Sequence, residues 1–191
     1  MILISSRSST CTKKAKNDMK KIALVYWPRK GSVEKNARRI ADRLGHDHVH
    51  LIPLRDVDPD MLAGYPVLLF GCSTVGADSW RNAWTGNQWF KFFVKMHDKN
   101  TDLTGKTAAI FGLGDQILYP ADFVNEIAEI RKELESRGAA VIGTWPAKGY
   151  ENTDSKALDG DHFMGLALDE HNQPELSEER ISRWLEMLKL G

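Results

Sequence analysis

Three stretches of the chain gather residue types suited to gripping a small polar ligand. The first is Pro28, Arg29, Lys30, Gly31, Ser32 and Val33, directly after an apolar run. A glycine and two adjacent cations at a helix start suit a phosphate, through free main-chain N–H groups, the helix dipole and positive side chains. Pro28 brings no N–H to that set. The same two cations also suit a plain solvent-facing loop. The second stretch is Gly112, Leu113, Gly114, Asp115, Gln116 and, after Ile117 and Leu118, Tyr119. Its glycines allow close backbone approach or positive φ. Asp115 and Gln116 offer polar edges and Tyr119 an aromatic plate, a combination suited to a flat heterocycle. A glycine-rich turn with a surface tyrosine has the same composition. The third stretch, 72–88, contributes Ser73, Thr74, Val75 and Gly76, then Trp80 and Trp84.

These loops need a frame that brings them together. "KIALVYW" (21–27) is a nearly unbroken apolar run, as expected of a parallel strand covered on both faces. Further strands are expected at 48–53, 66–72, 106–112 and 139–145. Between the first two, Val33, Ala37, Ile40, Ala41 and Leu44 form one helical stripe, and Gly45 is placed to stop it. Pro120 is expected to open a helix carrying Phe123, Ile127, Ile130 and Leu134, with Gly138 as its stop. Ile181, Trp184, Leu185 and Leu188 mark a final helix, with Ser177 and Arg180 near its start. Alternating strands and helices predict an open parallel sheet covered on both faces. In such sheets ligands sit beyond the carboxyl ends of the strands, where the three loops would lie.

A chain of 191 residues is long enough to bury one sizeable core. Its formal charge is zero, but residues 1–20 carry five cations against one acid. The remainder is therefore net acidic by four, with acids crowding into 159–179. No basic stripe points to nucleic acid, and no apolar stretch is long enough to span a bilayer. Cys11 and Cys72 are the only cysteines, one in a polar tail and one ending an apolar run, so a reduced, cytoplasmic protein is expected. Residues 1–20 read as a disordered N-terminal extension, and 21–191 as one domain. His48 and His50 alternate on one strand with no third ligand at useful spacing. There is no CxxC, HExxH, GxSxG or Walker motif. The carboxylates of 159–179 read as a solvated face able to steer a basic partner.

"FGLGDQILYPADF" (111–123) closely resembles the corresponding loop of flavodoxins. "KGYENTDSKALDGDHFMGLALDEHNQPELSEERISRW" (148–184) resembles the segment that interrupts strand five in long-chain flavodoxins, with the helix after it. The resemblance runs from about Lys21 to Lys189. It implies a three-layer α/β/α sandwich, strand order 2-1-3-4-5, with strand five interrupted by an insertion. It also implies noncovalent FMN, one-electron transfer, a flavodoxin reductase as electron donor and a protein acceptor, and a monomer. Tyr119 would stack on the flavin ring, and the backbone around Asp115 and Gln116 would reach its pyrimidine edge. Asp115 would add negative charge there.

Two loops depart from the family's pattern. The usual phosphate loop reads roughly Thr/Ser-x-Thr-Gly-x-Thr. The three hydroxyl positions are here Pro28, Lys30 and Val33, while Gly31 is kept and Ser32 is the remaining hydroxyl. Cations and backbone would then replace hydroxyls. After strand three, Val75 stands where the family has a tryptophan over one flavin face. Trp80 is the expected replacement, although both Trp80 and Trp84 also suit packing on helices. The Val75–Gly76 peptide corresponds to the one that turns toward flavin N5. Two other functions fit the scaffold: an FMN-dependent reductase of a quinone or similar acceptor, and a flavin-free interaction module.

Overall fold

The computed structural model describes residues 21–74, 86–151 and 154–190. The expected extension 1–20 and residues Val75, Gly76, Trp80 and Trp84 lie outside the described residues. Five parallel strands form the frame: β1 (Ile22–Tyr26), β2 (Val49–Pro53), β3 (Val67–Ser73), β4 (Thr107–Leu113) and β5 (Ala140–Ile142), ordered β2-β1-β3-β4-β5. Each of the first four falls within a residue of its expected bounds. The reason is physical: every residue of β1 is buried. Successive strand side chains point to opposite faces, so both faces must be covered and the run must be apolar throughout.

Strand five is interrupted. It leaves the sheet after Ile142, where Gly143 takes φ 86°, and resumes as β9 (Leu166–Leu168), also parallel to β4. The expected run 139–145 therefore ends early. Trp145 turns away into β6 (Trp145–Pro146), which pairs antiparallel with β8 (His162–Phe163); β7 (Leu158–Asp159) flanks β8. A Cβ on Gly143 would lie 2.8 Å from Trp184 Nε1, so the turn needs glycine for space as well as for φ.

Among the described residues the α-helices are α1 (Gly31–Leu44), α2 (Gln88–Asp98), α3 (Glu126–Ser136) and α4 (Ser177–Leu188). The stripe on α1 is as expected: Val33, Ala37, Ile40 and Ala41 are buried, and Gly45 follows at φ 88°. Helix α1 is tied to α4 by Arg39 and Arg43, both paired with Glu178 at 2.8 Å. Pro120 does not open α3. Residues 119–125 form turns, Val124 takes φ 50°, and the helix begins only at Glu126. Helix α2 has no counterpart in the sequence reading. Its Trp89 is buried and meets Phe70 of β3 edge-on at 5.9 Å.

Register brings the loops into one place. Tyr26 lies opposite Gly71, and Ser73 opposite Leu113. The carboxyl ends of β1, β3 and β4 therefore finish side by side.

Candidate functional site

The site is built at that shared edge. Trp27 continues β1 by donating its N–H to the Gly71 carbonyl at 2.9 Å. Thr74 Oγ1 donates to the Leu113 carbonyl at 3.2 Å, joining the loop after β3 to the one after β4. Trp27 is buried, with the Arg55 guanidinium 4.3 Å above its ring. The loop 28–33 then rises to the surface. Pro28 is half-buried, Arg29, Lys30, Gly31 and Ser32 are exposed, and Val33 turns inward.

Lys30 and Gly31 take φ 67° and 73°. A Cβ on Gly31 would meet nothing within 4 Å, so the glycine answers to conformation and to open space beside it. The Lys30 N–H, at the head of α1, donates to Glu34 Oε2 at 2.7 Å. Arg38 grips the other carboxylate oxygen at 2.6 Å. The Lys30 N–H, then the Arg38 guanidinium, hold the Glu34 carboxyl below its ordinary pKa. The head of α1 thus already carries a carboxylate, a sign that it accepts anions. No hydroxyl caps it.

The loop 112–119 is held from within. Neither Gly112 nor Gly114 has positive φ. A Cβ on Gly112 would strike Ile127 at 2.8 Å, and one on Gly114 would strike Phe123 at 2.6 Å and Thr74 Oγ1 at 2.8 Å. The close approach these glycines permit is by the protein's own side chains. Leu113 is buried as the last residue of β4. Asp115 Oδ1 accepts the N–H groups of Ile117 and Leu118 at 3.0 and 2.8 Å, bracing the turn, and the Asn172 amide at 2.9 Å. Burial works to raise its pKa, and these donors, Leu118 first, outweigh it.

Gln116 is 2% exposed, its side chain turned inward. Its amide donates to Asp169 and its Oε1 accepts the Glu151 N–H at 2.7 Å. The loop tip stands out instead: Ile117, Leu118 and Tyr119 are all exposed. An apolar and aromatic edge thus borders the braced turn. Ser73 is half-buried, and its Oγ finds no hydrogen-bond partner among the described residues.

Asp169, which carries no local sequence signal, organises this loop. Asp169 Oδ2 accepts the Gln116 N–H at 3.1 Å, the Gln116 amide at 3.0 Å and the Asn172 amide at 2.8 Å. Its Oδ1 accepts the N–H groups of His171 and Asn172 at 3.0 and 2.9 Å. Asp169 is fully buried, and the neighbouring Glu170 carboxylate binds Lys35 and Arg39 at 2.7 Å. The expectation of a solvated face over 159–179 fails at both residues, because each carboxylate has enough donors to be buried.

His48 is exposed, and the His50 ring nitrogen meets the Tyr65 hydroxyl. Among the described residues no cluster of His, Cys, Asp or Glu could hold a metal ion, and no helix is long and apolar enough to cross a membrane. Cys72 is a free, buried thiol, pushed well above its ordinary pKa by burial.

The donor set fits a flavin phosphate ester. It offers an anion-accepting helix end with exposed Arg29 and Lys30 beside it, open space at Gly31, a Ser73 hydroxyl unpartnered among the described residues and an exposed aromatic edge.

Comparison with known proteins agrees with the fold. The flavodoxin family model matches residues 24–184. The flavodoxin of Klebsiella pneumoniae is 37% identical over 174 residues, covering 90% of this chain and 98% of that protein. The flavodoxin of Nostoc sp. strain PCC 7120 is 36% identical, covering 89% and 96%. A variant of Fusobacterium nucleatum flavodoxin, solved bound to flavin mononucleotide, matches at TM-score 0.76 with 25% identity, covering 90% of this chain and 96% of that one. With its strand order, its interrupted fifth strand and near full-length similarity to these proteins, the chain belongs to the flavodoxin family.

Proposed function

We propose that the chain is an electron carrier that holds FMN noncovalently at the carboxyl edge of β1, β3 and β4. One observation carries the reading. Strand register places an anion-accepting helix end and an exposed aromatic edge at the same sheet edge, in a chain similar to flavodoxins along nearly its whole length. Bound FMN would supply reversible single-electron chemistry, and the protein would supply position and electrostatics.

The phosphate is assigned to the loop 28–33: the exposed cations Arg29 and Lys30, the main chain at Gly31 and Ser32, and the Ser32 hydroxyl. This is a rewritten chemistry, with charge in place of hydroxyl donors. The ring is assigned to the edge formed by Tyr119 and the main chain of 114–116, with Ser73 and Thr74 below it. Asp115, kept ionised by its three donors, places negative charge beside that edge and disfavours an anionic reduced flavin.

Ile117, Leu118 and Tyr119 present an apolar rim through which redox proteins approach, one to donate electrons and one to accept them. A reductase of the flavodoxin type is the donor assigned, and the chain works as a monomer in the cytoplasm, where the free Cys72 thiol stays reduced. The test is anaerobic reduction of the FMN-loaded chain by NADPH. Reduction only when a flavodoxin reductase is added supports the carrier. Rapid NADPH oxidation by the chain alone, with a quinone as acceptor, overturns it.

A further inference from the structure

A second site lies away from the flavin loops, where the inserted segment meets α4. Residues Trp145–Gly149 and the outer face of α4 enclose a cleft of about 570 Å³, within the range of small-molecule sites. Three cations line it: Lys148, Arg180 and Arg183. Glu179 is the acid on its wall, and that carboxylate reaches Arg183 at 3.4 Å. Pro146, Leu176 and Met187 supply an apolar wall.

Arg180 is the unusual member. Only 8% of it is exposed. Buried guanidinium groups are normally paired with a carboxylate, because an uncompensated buried charge is costly. Arg180 has no such partner among the described residues. Its Nη2 donates to the neutral Gln173 Oε1 at 2.7 Å, its Cζ lies 4.1 Å above the Tyr150 ring, and its Nη1 is without an acceptor among the described residues. Tyr150 cannot serve as counter-ion: burial drives its phenol well above the ordinary range, so it stays neutral. Asp169, the buried acid of the preceding turn, is already saturated by five N–H donors.

We propose that this cleft binds a small organic anion, its acid group facing Arg180, Lys148 and Arg183 and its apolar body lying on Pro146, Leu176 and Met187. A carboxylate and a phosphate monoester share the chemistry that these cations recognise. The site is separate from the flavin edge and does not depend on the flavin assignment.

The test is an NMR titration of the isotopically labelled full chain in excess FMN, so that any flavin-phosphate site is filled. The probes are benzoate, phenyl phosphate and benzyl alcohol, which share one apolar body and differ in the acid group. Saturable shifts at Lys148, Gly149, Arg180 and Arg183 are expected with at least one acid, and none with the alcohol. Whichever acid binds more tightly identifies the acid group preferred. Lys148 and Arg183 are exposed, so the double substitution Lys148→Gln, Arg183→Gln leaves the fold intact; it is expected to weaken binding about tenfold. Arg180→Lys keeps the charge but loses the planar fork, and is expected to weaken binding as well. The proposal is overturned if neither acid gives saturable shifts there. It is equally overturned if benzyl alcohol binds as well as the acids, or if the double substitution leaves affinity unchanged.

Discussion

Gln116 donates both its main-chain N–H and its side-chain amide to one oxygen of Asp169, at 3.1 and 3.0 Å, across 53 residues of sequence. The loop after β4 is thereby fastened to the segment after β9. A turn proposed to hold a flat ring gains from such a clamp, because it is set before any ligand arrives.

Removing the clamp leaves five N–H donors without their acceptor. Asp169→Ala is expected to cost about 3 kcal/mol of stability in urea unfolding, since several donors to a buried charge are orphaned at once. FMN and riboflavin affinities should fall together, because the proposed ring seat is lost and the proposed phosphate seat is not. The Asp169 carboxyl is held below its ordinary pKa: burial opposes this, and the Asn172 and Gln116 donors outweigh it. Its stabilising contribution is therefore present above the ordinary carboxyl range and lost as the pH falls through the folded value. Asp169→Ala should flatten that acid limb.

Glu34, bound to the Lys30 N–H, sets a negative charge at the head of α1 beside the loop assigned to the phosphate. Glu34→Gln removes a negative charge from that position. FMN is expected to bind about tenfold more tightly, worth ~1.4 kcal/mol, with riboflavin unchanged. The helix should lose about 0.5 kcal/mol with its N-terminal charge. Flavin-fluorescence titration reads the first effect and thermal unfolding the second. Equal changes for both flavins would separate Glu34 from the phosphate.

Glu126 opens α3 at 7% exposure. Burial raises its pKa from 4.5 to about 7; Asn87 opposes the shift and Glu129 adds to it. The folded chain holds this proton more tightly than the unfolded chain. The contribution is thus fully present below pH 4.5 and is lost as pH rises through about 7. Its size is on the order of 3 kcal/mol. Glu126→Gln should remove that decline, measured as urea midpoints across the window. A decline that persists unchanged would place the titration elsewhere.

The frame was legible in the sequence because each central strand is buried on both faces, leaving an apolar run with sharp ends. The stripe on α1 was legible for the same reason. Pro120 misled because a proline suits a turn as well as a helix start, and the turn at 119–125 is fixed by contacts that the local sequence does not reveal. Asp169 and Glu170 looked like members of a solvated acidic run. Their donors, Gln116, Lys35 and Arg39, lie 53 to 135 residues away, so only the folded chain shows that they are satisfied. Residues Val75, Gly76 and Trp80 fall outside the described residues.

On the proposed reading, cations and main-chain amides at the head of α1 hold a flavin phosphate without the customary hydroxyls. Parallel titrations of the purified chain with FMN and riboflavin test it most directly. A yellow complex with FMN is expected, at least about a hundredfold tighter than with riboflavin, with a preference that shrinks in Lys30→Ala. A chain that stays colourless in excess FMN, or that binds the two flavins equally, would contradict it.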